Sequence, residues 1–460
     1  MWCSFFPLLL LLLLLLVSLF PVPGVSTFSH HANTDNSQPT AMAPSEAETL
    51  FKIMESMSSD QTWRVSYPNP CKPDSSWPGI ECKPGLSDNF LHVSRLDFGS
   101  SLNPTCKKTA TFPTLIFTLP CLQSVFFFNC FTHTKTSLSF PKLFNSSLQQ
   151  LSLRSNPALS GPIPPQISSL KSLEILTLSQ NHFSGPIPVE IFSLNSLVHI
   201  DLSYNMFTGT IPTQLGNLKN LVGLDLSYNS LTGSIPQTIG ELEMLQKLDL
   251  SSNSLVGKIP DSIEKLKLLA FMALSNNRLG GDFPKGLSKL QSLQYFIMDD
   301  NPMFTTLPVE LGMLVKLQEL RLANSGYSGI IPPSLSLLMN LTTLSLQNNR
   351  LTGEIPMSFG SFSHIYHLNL SRNLLDGVVP FNASFLKRLG RNLDLSGNPG
   401  LCLSSAEAYS VKIGVGICSK NISLSQPLNN KSQAPPALAI SYSFFLFGVL
   451  GVFSLQLCIK

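Results

Sequence analysis

Aspartate and serine recur two residues apart along this chain, at Asp201 and Ser203, Asp225 and Ser227, Asp249 and Ser251, and Asp394 and Ser396. Acid and hydroxyl are the raw material of hydrolytic chemistry, but a nucleophile also needs a base and an orienting group converging on one point. The histidines, His199 and His367 among them, are scattered over distant units. The sequence holds no CxxC, HExxH, glycine-rich phosphate loop or paired-acid constellation outside its repeating frame. We therefore expect no enzyme, no catalytic residue, no metal and no cofactor.

Recognition is the chemistry on offer instead. Three consecutive units depart from the Asp/Ser pattern: one carries Phe271 and Ala273, the next Tyr295, Ile297, Asp299 and Asp300, and the third Glu319, Arg321 and Ala323. Aromatics flanked by charges of both signs suit a protein or peptide partner. Phe271, Tyr295, Ile297, Asp299, Glu319 and Arg321 are the candidate ligand-binding residues, with His199, Tyr204, Tyr228 and His367 as secondary ones. A competing reading has Glu319 and Arg321 simply pairing with neighbours on a sheet.

What must position these residues is the frame of residues 221–236, LVGLDLSYNSLTGSIP. Leu221, Leu224 and Leu226 are spaced as an apolar strand, and Asn229 follows. The same asparagine returns at Asn181, Asn205, Asn253, Asn277, Asn301, Asn349 and Asn373 on a 24-residue step, and slightly out of step at Asn156 and Asn398. L-x-x-L-x-L-x-x-N at this period reads as a leucine-rich-repeat solenoid. One unit cannot bury its own leucines, so units stack and share a continuous core. Where the chain turns inward after each strand, a buried Asn can satisfy the exposed backbone groups. The expected fold is an α/β repeat solenoid, a right-handed superhelix. It carries a parallel sheet on the concave face, short helical or irregular convex returns, and disulfide-closed caps.

Charged residues make up 12% of the chain and the net charge is +3, a field too weak to imply nucleic acid. Residues 1–26 read as a secretory signal, apolar from Phe5 to Phe20 and followed by small residues. Residues 27–92 form an N-terminal cap, with a helix opened by a Ser45/Glu48 capping box and continued by Leu50, Phe51, Met54 and Met57. Residues 93–401 hold about eleven clear repeats and two or more degenerate ones. Cys130 occupies the Asn position of a degenerate repeat, and the set Cys106, Cys121 and Cys130 holds one pair and one spare thiol. Residues 402–436 are a C-terminal cap, bridged by Cys402 and Cys418, and a polar stalk. Residues 437–460 are an apolar tail of spanning length, read either as a lipid-anchor (GPI-type) signal or as a single transmembrane helix. Six sequons mark N-glycosylation sites at Asn145, Asn340, Asn369, Asn382, Asn421 and Asn430. A glycan on Asn369 would stand on the concave strand face and push ligand toward earlier repeats.

Several stretches go beyond the repeat. Trp63, Cys71, Trp77, Gly79 and Cys82 resemble the N-terminal cap of plant extracellular leucine-rich repeats, which implies a Cys71–Cys82 bridge. FFFNCFTHTKT (127–137), SLQQLSLRSNPAL (147–159), ANSGYSGIIP (323–332) and FLKRLGRNLDLSGNPGLC (385–402) resemble the kinase-less plant receptor-like proteins, the group of Piriformospora indica-insensitive protein 2, related more distantly to Too Many Mouths. The resemblance covers roughly residues 45–418, whereas the L-x-G-x-I-P frame marks only the wider plant class. It implies pairing of Cys106 with Cys130, leaving Cys121 as an extra. It also implies a sensing role at the extracellular face of the plasma membrane, in plant defence, response to a fungal symbiont or development. The expected partners are an extracellular peptide or protein and a kinase-bearing co-receptor, with the tail holding the chain to the membrane. The alternative is an extracellular inhibitor of a pathogen polysaccharide hydrolase, of the polygalacturonase-inhibiting kind; such inhibitors need no apolar tail.

Overall fold

The computed structural model describes residues 41–406 and 413–418, apart from 73–76, 86–87, 143 and 145. The signal segment, most of the stalk, the apolar tail, Asn145, Asn421 and Asn430 lie outside the described residues. One fourteen-stranded sheet runs the length of the array. Its first pair, Ile80–Pro84 with Leu91–Phe98, is antiparallel, and the pairs that follow are parallel. From Ile175–Thr177 onward most strands are three residues long. Their central residue is buried and its two neighbours face outward, as the side-chain period of two requires. Register is uniform: His199, Gly223, Lys247, Phe271, Tyr295, Glu319, Thr343 and His367 lie side by side in one row. The frame position of a residue therefore fixes its place on the concave face.

Behind the sheet, Leu221, Leu224 and Leu226 are at most 2% exposed, in line with every equivalent leucine row. The return path is set by proline. Pro212 precedes the short 3-10 helix Thr213–Asn217, which turns Leu215 and Leu218 into the core. Between strand and return sits the asparagine. Asn277 Nδ2 donates to the carbonyls of Leu250 (2.9 Å) and Leu274 (3.1 Å), and its Oδ1 accepts from the Leu255 amide at 3.0 Å. One side chain thus ties two successive repeats. Asn229 makes the same three contacts with Leu202, Leu226 and Phe207. The out-of-step members belong to the same row, since Asn156 and Asn398 donate and accept in the same way.

Each end of the core is closed differently. At the N-terminus the helix Pro44–Met57 lays Leu50, Ile53, Met54 and Met57 against the first strands. The Ser45/Glu48 capping box does not form. Pro44, with its fixed φ and no N–H to lose, opens the helix after Ala43, so Ser45 is already inside the first turn. The Ser45 carbonyl accepts from Thr49 Oγ1, and Glu48 pairs with Arg64 at 2.6 Å. Glu46 is the anchoring acid instead. It is buried, accepts the Val93 amide (3.0 Å) and meets His92 Nδ1 at 2.6 Å, while His92 Nε2 meets Asp88 at 3.0 Å. Both ring nitrogens can donate only in the imidazolium form. Burial opposes that charge, but the hydrogen bonds to Asp88 and Glu46 outweigh it and lift the His92 pKa.

Disulfides join Cys71 to Cys82, Cys106 to Cys130 and Cys402 to Cys418. Cys121 is the free cysteine among the described residues; burial, then the charges of Glu46 and Asp88, push its thiol up and leave it a poor nucleophile. The last repeat is flanked by a helix the sequence analysis did not identify, Ala383–Leu389, capped by Asn382 accepting from the Phe385 amide.

Asn277→Ala orphans the Leu255 amide and leaves the Leu250 and Leu274 carbonyls to Asn253 and Asn301 alone, and is expected to lower unfolding free energy by about 1–3 kcal/mol. Asn220→Ala, on the exposed return, is expected to stay within about 0.5 kcal/mol of the parent in the same denaturation experiment. A folded-state pKa raised at His92 gives stability that is full below the ordinary imidazole value, about 6.5, and lost as pH rises through the folded value. With the base-catalysed rise of intrinsic exchange divided out, protection of the Pro44–Met57 amides should accordingly fall as pH rises above about 6.5. His92→Gln should abolish that pH dependence; an unchanged profile would show that the clamp is not imidazolium.

Candidate functional site

The Asp/Ser pairs are turn closures. Asp201 Oδ1 accepts from the Ser203 amide (3.0 Å) and hydroxyl (2.6 Å), and Asp225 and Asp394 treat Ser227 and Ser396 alike. The hydroxyl donates to the acid and is held in the turn rather than presented as a nucleophile. Asn369 holds Ser371 in the same manner, from a half-buried position on the strand face. The signal was in the sequence, because an acid or amide closing on the residue two ahead is the Asx-turn spacing. Of the other described sequons, Asn340 is exposed on a return with Nδ2 on the Val315 carbonyl, and Asn382 is the exposed helix cap.

In the three departing repeats the Asp closer gives way to Ala273, Ile297 and Arg321, and in the last of them the structure replaces it across the repeat boundary. Phe271, Tyr295 and Glu319 fall in one row, Ala273, Ile297 and Arg321 in the next. The Phe271 and Tyr295 rings are 6.0 Å apart, and the Tyr295 hydroxyl donates to Gln318 at 3.2 Å. Lys247, which the sequence analysis passed over, stands with its Nζ 5.9 Å from the Phe271 ring and 2.8 Å from Asp225.

Asp299 is not an open recognition group. It is 4% exposed; Oδ1 accepts from the Ala323 amide at 2.7 Å, and Oδ2 accepts from Arg321 Nε and Nη2 at 2.8 and 2.7 Å. Arg321 and Ala323 stand where other repeats keep the closing Asp and its Ser, so the Asp299 carboxylate closes that turn from the neighbouring strand. Arg321 also approaches Glu319 at 3.9 Å and remains exposed. Burial raises the pKa of both Asp299 and Glu319, and Arg321 works against the rise. Phe271, Tyr295, Ile297 and Glu319 are half-buried, which leaves an aromatic pair beside an ion pair facing water. Tyr204 and Tyr228 stack at 4.1 Å apart from this patch, and His199 and His367 share its row without touching it. Among the described residues no three His, Cys, Asp or Glu side chains converge as a metal site.

A stacked parallel sheet with an asparagine ladder and a side-chain-programmed face defines a leucine-rich-repeat protein. Family models described as leucine rich repeat match residues 195–255, 172–194 and 340–362. The chain is similar to two receptor-like proteins of Arabidopsis thaliana. It is 73% identical over 149 residues to Receptor like protein 29, covering 32% of each chain. It is 32% identical over 193 residues to Piriformospora indica-insensitive protein 2, covering 40% of this chain and 42% of that one. The chain thus matches less than half the length of either relative. Among solved structures, the leucine-rich-repeat ectodomain of the Arabidopsis receptor kinase HAESA in complex with an IDA peptide hormone ligand superposes with a TM-score of 0.56. That match has 28% identity over 70% of this chain and 60% of the other.

Arg321→Ala leaves the Asp299 carboxylate buried on a single amide, and thermal unfolding near neutral pH is expected at a lower temperature than in the parent. Adding Asp299→Ser supplies the residue found at Ser251 and Ser275 and should restore most of the loss. A single variant as stable as the parent would show that the pair holds nothing.

Proposed function

We propose that this protein is an extracellular recognition subunit of the receptor-like class, binding a peptide or protein on its concave sheet and passing the signal to a kinase-bearing co-receptor. The observation that carries the reading is the half-buried aromatic pair Phe271 and Tyr295, set beside Arg321 in rows where the preceding repeats hold Gly223 and Lys247 and the turn-closing Asp225 and Asp249. An aromatic and an arginine in a partly desolvated row are the side chains that dominate binding energy at protein interfaces. The receptor-like relatives and the peptide-bound HAESA ectodomain support the same class. In this reading residues 1–26 direct export, the sequons carry glycans, and the apolar tail at 437–460 tethers the chain to the plasma membrane. The biological setting is defence, response to a fungal symbiont or development.

A random octapeptide library, equilibrated with the secreted chain, tests it. Phe271→Ala with Tyr295→Ala should weaken binding of the selected peptides by at least about tenfold with no fall in melting temperature. Binding unchanged in that variant would sink the concave-face reading.

A further inference from the structure

We infer that the flank of the solenoid at Phe304 and Arg350 is an anchor site for an extended peptide, one that lays an aromatic or branched aliphatic side chain on Phe304 and a carboxylate on Arg350. The inference rests on the peptide-recognition reading above and carries it off the sheet.

A narrow second ladder runs along this flank. The residue after each ladder Asn donates its amide to the preceding repeat: Ser230 to Phe207, Ser254 to Leu231, Arg278 to Leu255 and Arg350 to Tyr327, at 2.7–2.9 Å. Three residues further on than that donor, the strip turns at a left-handed glycine, as at Gly257, Gly281 and Gly329, with φ between 75° and 84°. The repeat that starts at Asn301 breaks both rules. Pro302 has no N–H to give the Leu279 carbonyl, and Thr305 stands where glycine belongs. The left-handed conformation moves one residue back to Phe304, at φ 46°. A third departure follows, for Ser325 takes the next ladder position and its short hydroxyl accepts the Asn301 amide at 3.3 Å. The flanking ladder therefore stops at Arg278–Leu279 and resumes at Ser328–Ile330.

None of this disturbs the core, where Met303 and Leu307 stay at 3% and 5% exposed. What changes is the surface. Across the turns of three successive repeats opens a notch of about 660 Å³ lined by Phe304, Arg350, Asp300, Asn324 and Asn348. Phe304 is 65% exposed, in a backbone conformation that a bulky residue rarely adopts. Strain of this kind persists where a ligand clamp uses it. The Arg350 guanidinium lies 5.7 Å from the Phe304 ring, and no carboxylate among the described residues pairs with it. Asn348 Nδ2 donates to Asn324 Oδ1 at 2.6 Å, leaving amide donor and acceptor positions for a peptide backbone. Asp300, on the notch wall, suits an N–H or a cationic group.

Asp300 follows Asp299 directly, so the notch continues the edge of the concave patch. The strands bearing Phe271, Tyr295 and Glu319 span about 10 Å. Eight extended residues reach at most about 28 Å, well beyond that span.

The test uses the same octapeptide library, each sequence as free acid and as amide, on the full secreted chain. Selected peptides should carry an aromatic or branched aliphatic residue next to a carboxylate. Phe304→Gly with Arg350→Gln should weaken their binding at least about tenfold. Glycine accepts the left-handed backbone, so Phe304→Gly should melt no lower than the parent; the lost affinity is then not lost folding. Selected peptides bound within about twofold by this variant, but lost by Phe271→Ala with Tyr295→Ala, would overturn the notch and leave the concave reading standing. Loss only in the flank variant supports the notch and overturns the sheet patch. Selection untouched by either variant, or no selection, overturns both.

Discussion

The stack depends on a carboxamide placed in nearly every repeat, with Cys130 and Ser325 at its position in two. A chain that leaves a three-residue strand to dive behind its own sheet exposes carbonyls and an amide in a water-free place, where each unpaired group costs about 1–3 kcal/mol. A side chain with two donors and an acceptor, of fixed length, answers all of them: Asn277 binds its own repeat through Leu274 and the previous one through Leu250 and Leu255. Because the turn is held by that amide rather than by the strand, the strands can be three residues long. The leucine rows follow, since a turn fixed in space repeats the inward face at the same height each time. The uniform register of the sheet is the visible result.

With core and turn assigned, a few side chains per repeat are left to face water, and the default choice keeps them at structural work. Asp and Ser, or Asn369 and Ser371, lock the end of the strand. Where Arg321 and Ala323 stand in place of the closing Asp and its Ser, the lock has to come from elsewhere, and Asp299 supplies it to Ala323 across the repeat boundary. A buried carboxylate then needs a counter-charge, which fixes Arg321 on the surface. The charge at the centre of the patch is therefore tied to the loss of the Asp/Ser closure in that repeat. One ion pair repairs the turn and faces water.

Much of this was legible in the sequence. The period, the inward leucines and the asparagine row depend on local spacing alone, and the structure bears out the solenoid and its parallel sheet. What escaped depends on partners distant in sequence. Asp299 reads as an exposed acid until Arg321 and Ala323, one repeat away, are placed on it. Glu46 and His92 stand 46 residues apart in the chain, and nothing in either neighbourhood announces the pair. The Ser45/Glu48 spacing suggests a capping box that does not form, because Pro44 opens the helix before Ser45. The Asp/Ser pairs look like plain surface, although their spacing already encodes a turn. Pro302 and Thr305 pass without notice in the sequence, and their effect, Phe304 turned outward in a left-handed conformation, depends on the backbone around them.

The array also divides by the kind of group that holds it. Its spine is built from amides and aliphatic side chains, none of which titrates in the range where proteins fold. Charge that burial or pairing perturbs sits at the first cap, where Glu46, His92 and Asp88 share a proton-dependent contact, in the turn-closing row, where burial and the charge of Asp225 raise Asp249, and on the patch, where burial raises Asp299 and Glu319. A change of pH thus acts on the entrance to the solenoid and on its concave face, and not on the asparagine ladder or the leucine rows behind the sheet. The closing bond at the far end, Cys402 to Cys418, is covalent and indifferent to protons. Sensitivity at one cap and on the concave face, over a core of amides and aliphatic side chains, follows from where the chain places its carboxylates.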